Sequence, residues 1–165
     1  ESYGALGVIL MDSAGALLPE DVKERIQKLV DHVGIRIGFH AHNNMGMAVA
    51  NSLTAIDCGA TIIDSTIRGF GGGAGNCQLE ALLTVLEKIN RPQNVDLYKL
   101  MDVSDSIVAT KLQKKPQEIT SISLMSGFAG VFSAFAEPVK KASEEFDVNM
   151  RDIFVELGKR KVVAG

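Results

Sequence analysis

The sequence predicts an α/β fold in which helices cover a parallel sheet, followed by a region that is helical alone. Short, continuous apolar runs alternate with longer stretches of helical periodicity up to about residue 90, and only a few residues connect them. Continuous apolar character marks strands covered on both faces, and strand–helix alternation with short connections builds parallel sheets. Beyond Asn90-Arg91-Pro92-Gln93-Asn94 the strand pattern stops and only helical stripes remain. With 165 residues, 46% of them apolar, the chain can bury a sizeable core.

The first unit opens with Gly7-Val8-Ile9-Leu10-Met11, a strand that ends in the polar turn Asp12-Ser13-Ala14-Gly15. Pro19 stands where a first helical residue is expected, and Glu20 and Asp21 complement the helix dipole in the first turn. Val22, Ile26, Leu29, Val30 and Val33 form one apolar helical face, which Gly34 ends. The second unit is a strand over residues 35–42 and a helix with Met45, Ala48, Val49, Leu53 and Ile56 on one face, closed by Cys58-Gly59. The third is a strand over 61–67, a glycine-rich loop, and a helix with Leu79, Leu82, Leu83, Leu86 and Ile89 turned inward. An open doubly wound sheet and part of a barrel both accommodate these units. Residues 95–165 read as a small helical region. Leu97, Leu100, Met101, Ile107 and Val108 suggest an amphipathic helix, and Lys111 to Pro116 a solvated linker. A helical stripe between 128 and 146 runs through Phe135, Val139, Ala142 and Phe146, with Pro138 kinking or restarting it. Asn149 caps a final helix that ends at Gly158.

Composition narrows the function. The net charge is only −3, with acids and bases mixed, and no basic stripe alternates with aromatics, so nucleic-acid binding has little support. No apolar run approaches the roughly 20 residues of a membrane span, and no signal-peptide pattern opens the chain. Cys58 and Cys77 lack the Cys-x-x-Cys spacing of a zinc site and suit a reducing cytoplasm. The first residue, Glu1, leads almost directly into a strand, which is expected of a piece of a longer polypeptide.

The most informative motif is Gly38-Phe39-His40-Ala41-His42-Asn43. Side chains of a strand alternate faces, so His40 and His42 project together at the strand's carboxyl end. Two parallel neutral imidazoles suit one metal ion; the plainer reading is two polar residues where a strand leaves the core. Such sites need a third ligand, and either Asp12 serves or the ligand lies upstream of Glu1. Asp12-Ser13 sits where ligands collect in parallel α/β folds, which makes Ser13 a candidate contact. Asp64, one step inside its strand, reads as a buried hydrogen-bonding carboxylate, and His32 as a surface residue. Gly69-x-Gly71-x-x-Ala74 matches the dinucleotide fingerprint but lacks the following acidic strand end. The same loop reads equally as a mobile lid, with Asn76 capping the next helix. No Gly-x-Ser-x-Gly elbow is present, which disfavours a serine nucleophile.

Together, Gly38-Phe39-His40-Ala41-His42-Asn43-Asn44, Val49-Ala50-Asn51-Ser52, Ile63-Asp64-Ser65 and the 69–76 loop with Glu80 resemble the metal-dependent (β/α)8 superfamily of pyruvate aldolases and acyl transferases. Its members include hydroxymethylglutaryl-CoA lyase and isopropylmalate synthase. Within it the chain is most similar to the 4-hydroxy-2-oxovalerate aldolase family. The likeness continues through Asp96-Leu97-Tyr98-Lys99-Leu100-Met101-Asp102, Gly127-Phe128-Ala129-Gly130-Val131-Phe132-Ser133 and Asp152-Ile153-Phe154-Val155-Glu156-Leu157-Gly158.

The resemblance implies that residues 1–94 hold the last three strand–helix units of a TIM barrel, with 95–165 as a C-terminal helical, partner-docking domain. It implies that His40 and His42 ligate a divalent cation, usually manganese, with magnesium or cobalt as alternatives. Ser13 and His40 match positions that contact the 2-oxo acid substrate. The implied reaction is reversible cleavage of 4-hydroxy-2-oxopentanoate into pyruvate and acetaldehyde, with an acylating acetaldehyde dehydrogenase as partner and a homo- or hetero-oligomeric state. Two departures stand out. The family's Arg-Asp-Gly motif and its nearby basic histidine would precede Glu1, so no complete catalytic set is expected here and the isolated chain is expected to be inactive. Phe132 also stands where the aldolases carry a tyrosine, and Phe128 replaces another. That opens an alternative: a different carbon–carbon bond enzyme on the same scaffold, such as an acyl-CoA-condensing synthase or a 2-oxo acid decarboxylase. A nucleotide-binding module rests on the glycine loop alone.

Overall fold

The computed structural model describes residues 2–112 and 115–162. Three strands, β1 (Gly7–Asp12), β2 (Arg36–Ala41) and β3 (Ile62–Asp64), form a parallel sheet in chain order. The helices α1 (Pro19–His32), α2 (Ala48–Asp57) and α3 (Leu79–Lys88) follow them in turn. Sequential parallel neighbours joined by helices are the construction unit of a (β/α)8 barrel.

Register assigns each side chain to a face. Ile9 pairs with Gly38 and Met11 with His40, while Gly38 pairs with Ile62 and His40 with Asp64. Ile9, Met11, Gly38, His40, Ile62 and Asp64 therefore share one face of the sheet. Gly38 lets its neighbours meet there, because a Cβ would lie 2.9 Å from Ile9 Cγ1 and 3.1 Å from Ile62 Cβ. The other face carries Ile37, Phe39 and Ala41, all buried against the helices. Val22 and Ile26 of α1, Ala48 and Ala55 of α2, and Leu82, Leu83 and Leu86 of α3 complete this core. Full burial of a side chain such as Phe39 contributes about 1.5–3 kcal/mol.

Strand β3 is shorter than the expected 61–67. After Asp64 the backbone leaves the sheet, and Thr66 N–H donates instead to Cys77 O at 3.0 Å. Arg68 then takes a left-handed conformation, φ 55°. The buried Glu80 carboxylate holds it there by accepting Arg68 N–H at 3.0 and 3.1 Å.

The remaining helices are α4 (Leu97–Val103), α5 (Ser121–Ala129), α6 (Ala136–Phe146) and α7 (Met150–Lys159). Leu97 and Leu100 of α4 pack on the first core, and the helix runs on through Ser104–Leu112 with wider π-type turns. The linker expected over 111–116 includes 113 and 114, which lie outside the described residues. Helices α5, α6 and α7 enclose a second core around Val131, Val139 and Phe154. No single helix spans 128–146. Gly130, at φ 67°, ends α5, and Pro138 falls in the first turn of α6, where its missing N–H leaves no bond unmade. Asn149 caps α7 as expected, accepting Arg151 N–H at 3.0 Å. Among the described residues no helix is long and apolar enough to cross a membrane.

Candidate metal centre

His40 is the penultimate residue of β2 and His42 lies just beyond the strand, so both stand at the carboxyl end of the central strand. Their rings lie edge to face with centroids 5.1 Å apart. Each ring has one nitrogen engaged. His40 Nδ1 donates to Asp64 Oδ2 at 2.9 Å, and His42 Nδ1 donates to the Gly72 carbonyl at 3.2 Å. With Nδ1 carrying the proton in both, each Nε2 keeps its lone pair for an outside ligand. Burial pushes the His42 pKa below the usual histidine value, only partly offset by the Gly72 bond, and this favours the neutral, ligating form. A carboxylate or carbonyl behind each imidazole is the outer support of a histidine metal ligand. On these observations the residues present fit a divalent cation.

Asp12 does not join them. It pairs in register with Ala41, not His40, so it points to the helix side of the sheet. There its carboxylate accepts Ala16 N–H at 2.9 Å and Leu17 N–H at 3.2 Å, folding the turn into α1. Burial raises its pKa, and these two bonds pull the other way. Of the two sources expected for a third ligand, the structure thus removes the one inside the chain. Among the described residues no cluster of three or more His, Cys, Asp or Glu side chains forms. Ser13 is exposed in the turn beyond β1, at the same end of the sheet as the histidines. Asp64 does hydrogen-bond but is half exposed, not buried, because β3 lies at the sheet edge. His32 is on the surface, its Nδ1 bonded to Lys28 O at 2.8 Å.

The glycine loop is a pinned turn. N–H groups of Gly69, Phe70, Ala74, Gly75 and Asn76 all donate within the protein, to Thr66 O, Ile67 O, Asn44 Oδ1, Gly72 O and Gly69 O. Those five donors are already taken and are not offered to a pyrophosphate, which weakens the nucleotide reading. Asn76 does not cap α3, which starts three residues later behind Gln78. It forms an isolated antiparallel bridge with His42, so the two side chains share a side, and its Oδ1 is buried without a hydrogen-bond partner.

Sequence reasoning gave no role to Asn44. Its side chain is fully buried and reaches three other segments at once. Its Nδ2 donates to Ala14 O and to Ser133 Oγ, both at 2.9 Å, and lies 3.4 Å from Ser126 Oγ. A polar residue directly after a two-histidine motif was the available signal, but its partners are remote in sequence. Phe132, half-buried, directly precedes Ser133.

A family model described as HMGL-like matches residues 1–107, about two thirds of the chain. The chain belongs to the HMGL-like family. A second model, a DmpG-like communication domain, matches residues 117–165. The chain is 56% identical over its full length to a 4-hydroxy-2-oxovalerate aldolase of Geobacillus thermodenitrificans, covering 48% of that protein. It is 53% identical, with the same coverage, to one from Pectobacterium atrosepticum. The crystal structure of an N-terminal domain described as that of an aldolase, from Bacteroides vulgatus, superposes with a TM-score of 0.75 at 32% identity, covering 90% of this chain and 48% of that one. The three strand–helix units are therefore a partial barrel of this HMGL-like fold. The chain spans about half the length of the curated relatives it matches.

Proposed function

We propose that the chain is the C-terminal portion of a divalent-metal-dependent aldolase that cleaves 4-hydroxy-2-oxopentanoate to pyruvate and acetaldehyde. The observation that carries this reading is the pair of imidazoles, each with Nδ1 tied back and Nε2 left over, on a chain 53–56% identical to proteins bearing that aldolase's name. His40 and His42 supply two ligands through Nε2, and Asp64 keeps His40 in the ligating tautomer. A bound divalent cation would supply Lewis acidity, drawing the negative charge that develops on the 2-oxo acid's oxygen as the carbon–carbon bond breaks. Manganese is our choice of cation, with magnesium and cobalt as alternatives.

Ser13 contributes a hydroxyl donor for the substrate's carboxylate, from the same end of the sheet as His40. Phe132 can neither donate nor accept a proton, so the acid and base of this reaction come from elsewhere in the whole protein. The helical region, residues 95–165 in our division, is the docking surface for an acylating acetaldehyde dehydrogenase; its match to a communication domain supports that role. The free thiols of Cys58 and Cys77 favour the cytoplasm as the working compartment.

The test is pyruvate release from 4-hydroxy-2-oxopentanoate by the whole parent protein with Mn²⁺, beside the isolated 165-residue chain. Turnover by the parent alone supports the proposal; a parent that releases no pyruvate overturns it. Phe132 favours a second reading, another carbon–carbon bond enzyme on the same scaffold. Turnover of pyruvate with acyl-CoA esters, or 2-oxo acid decarboxylation, in place of aldol cleavage would select it.

A further inference from the structure

The imidazole of His42 is only as well placed as the carbonyl that holds it. Gly72 O accepts two bonds, from His42 Nδ1–H at 3.2 Å and from Gly75 N–H at 2.9 Å, which closes a tight turn over residues 72–75. Between the ends of that turn lie Gly73, at φ 62°, and Ala74. Ala74 N–H points out of the turn and donates to Asn44 Oδ1 at 2.9 Å. The approach is close: a Cβ on Gly73 would stand 2.5 Å from both Asn44 Oδ1 and Ser133 Oγ.

We propose that Asn44 is a positioning residue for the histidine site, its carboxamide clamping the 72–75 turn so that the Gly72 carbonyl stays on His42, and anchoring that clamp to the helical region through Ser133. The proposal rests on the metal-centre reading above. The amide has one workable orientation. Its oxygen must face the Ala74 N–H, and its two N–H bonds are then taken by Ala14 O and Ser133 Oγ, each at 2.9 Å. Neither Asp nor a small residue supplies one acceptor and two donors in that place. Ser133 opens the 3-10 turn Ser133–Phe135 that leads into α6, and Ser126 lies on α5. A shift of the helical region would therefore reach His42 through Ser133, Asn44, Ala74 and Gly72 in sequence. None of these Asn44 hydrogen bonds goes to an imidazole, and its effect on the site is indirect.

The test is Co²⁺ titration of the whole parent protein, followed by the cobalt visible absorption band. Loss of an outer-shell support lowers metal affinity about 10–100-fold. Asn44→Ala is expected to weaken Co²⁺ binding within that range and to alter the band. Gly73→Ala keeps Asn44 but pushes the turn off it, so it should produce the same change. Their combination should be no worse than the weaker single variant, because both break one clamp. Leu86→Ala loosens the first core near the far end of α3, outside the helical region that the clamp reaches, and should leave the band unchanged, which separates positioning from general destabilisation. His42→Ala should lose binding outright. If Asn44→Ala or, should that variant not fold, Gly73→Ala binds Co²⁺ with parental affinity and band while His42→Ala does not, Asn44 has no positioning role and the metal reading survives. If His42→Ala also binds normally, the metal reading fails and this proposal with it.

Discussion

Strand β1 carries more apolar side chains than β2 and buries fewer of them. Every residue of β2 after Arg36 is buried, whereas Val8, Ile9 and Met11 of β1 remain 38%, 41% and 58% exposed. The difference is not propensity. β2 has a strand on each side and helices on its back, while β1 is paired on one side only. Burial is conferred by neighbours, and an apolar strand without them presents an edge that invites pairing. Among the described residues, β2 alone is flanked by a strand on both sides, and the histidine pair stands at its end. Its frame is complete even though the wall facing it is not.

The largest expected effect tests that contrast directly. In the isolated chain, Phe39→Ala should cost about 3–5 kcal/mol in denaturant unfolding. Ile9→Ala on β1 should cost less than half of that, since much of its side chain is already in water. Equal losses would mean that β1 is covered in solution. The exposed edge makes a further prediction: the isolated chain self-associates by light scattering, and Ile9→Lys suppresses this. A monodisperse monomer of the unsubstituted chain would refute it.

Smaller effects probe the site. Asp64→Asn in the whole protein leaves His40 in place but removes the charge behind its Nδ1, and should weaken Mn²⁺ binding about tenfold by calorimetry. The smallest is a pH effect. Burial depresses the His42 pKa in the folded state. Above the unfolded value of about 6.5 neither state is protonated and His42 contributes nothing to the slope. As pH falls below it, the unfolded chain takes the proton first, so stability declines until folded His42 also protonates. Urea unfolding of the metal-free chain between about pH 5 and 7 should show this decline, and His42→Ala should lack that part of it. A stability that rises on acidification through this range because of His42 would contradict the assignment.

What could be read from the sequence follows the range of the interactions. The pairing of His40 and His42 was legible because a strand's period of two is local and strict. So were α1, with Pro19 at its first position, and the cap at Asn149. Asp12 was ambiguous as a sequence feature and became plain only with the register, which places it beside Ala41. Asp64 was legible as a hydrogen-bonding group, but its exposure depends on β3 being an edge. Helix α5 was hidden because Ser121, Ser123, Ser126 and Gly127 blur its apolar stripe. Its signal was the reciprocal cap between Thr120 and Ser123, with bonds of 2.8 and 3.2 Å. Asn44 was illegible for a different reason. Its partners Ala14, Ser126 and Ser133 lie 30, 82 and 89 residues away, and no local pattern encodes such meetings.

The central claim is that His40 and His42 hold one divalent cation through their Nε2 atoms. Calorimetric titration of the whole parent protein with Mn²⁺, beside His40→Ala and His42→Ala variants confirmed to be folded, measures it most directly. One binding event per chain, abolished by either substitution, is the expected result. Undiminished Mn²⁺ affinity in either folded variant would contradict the account.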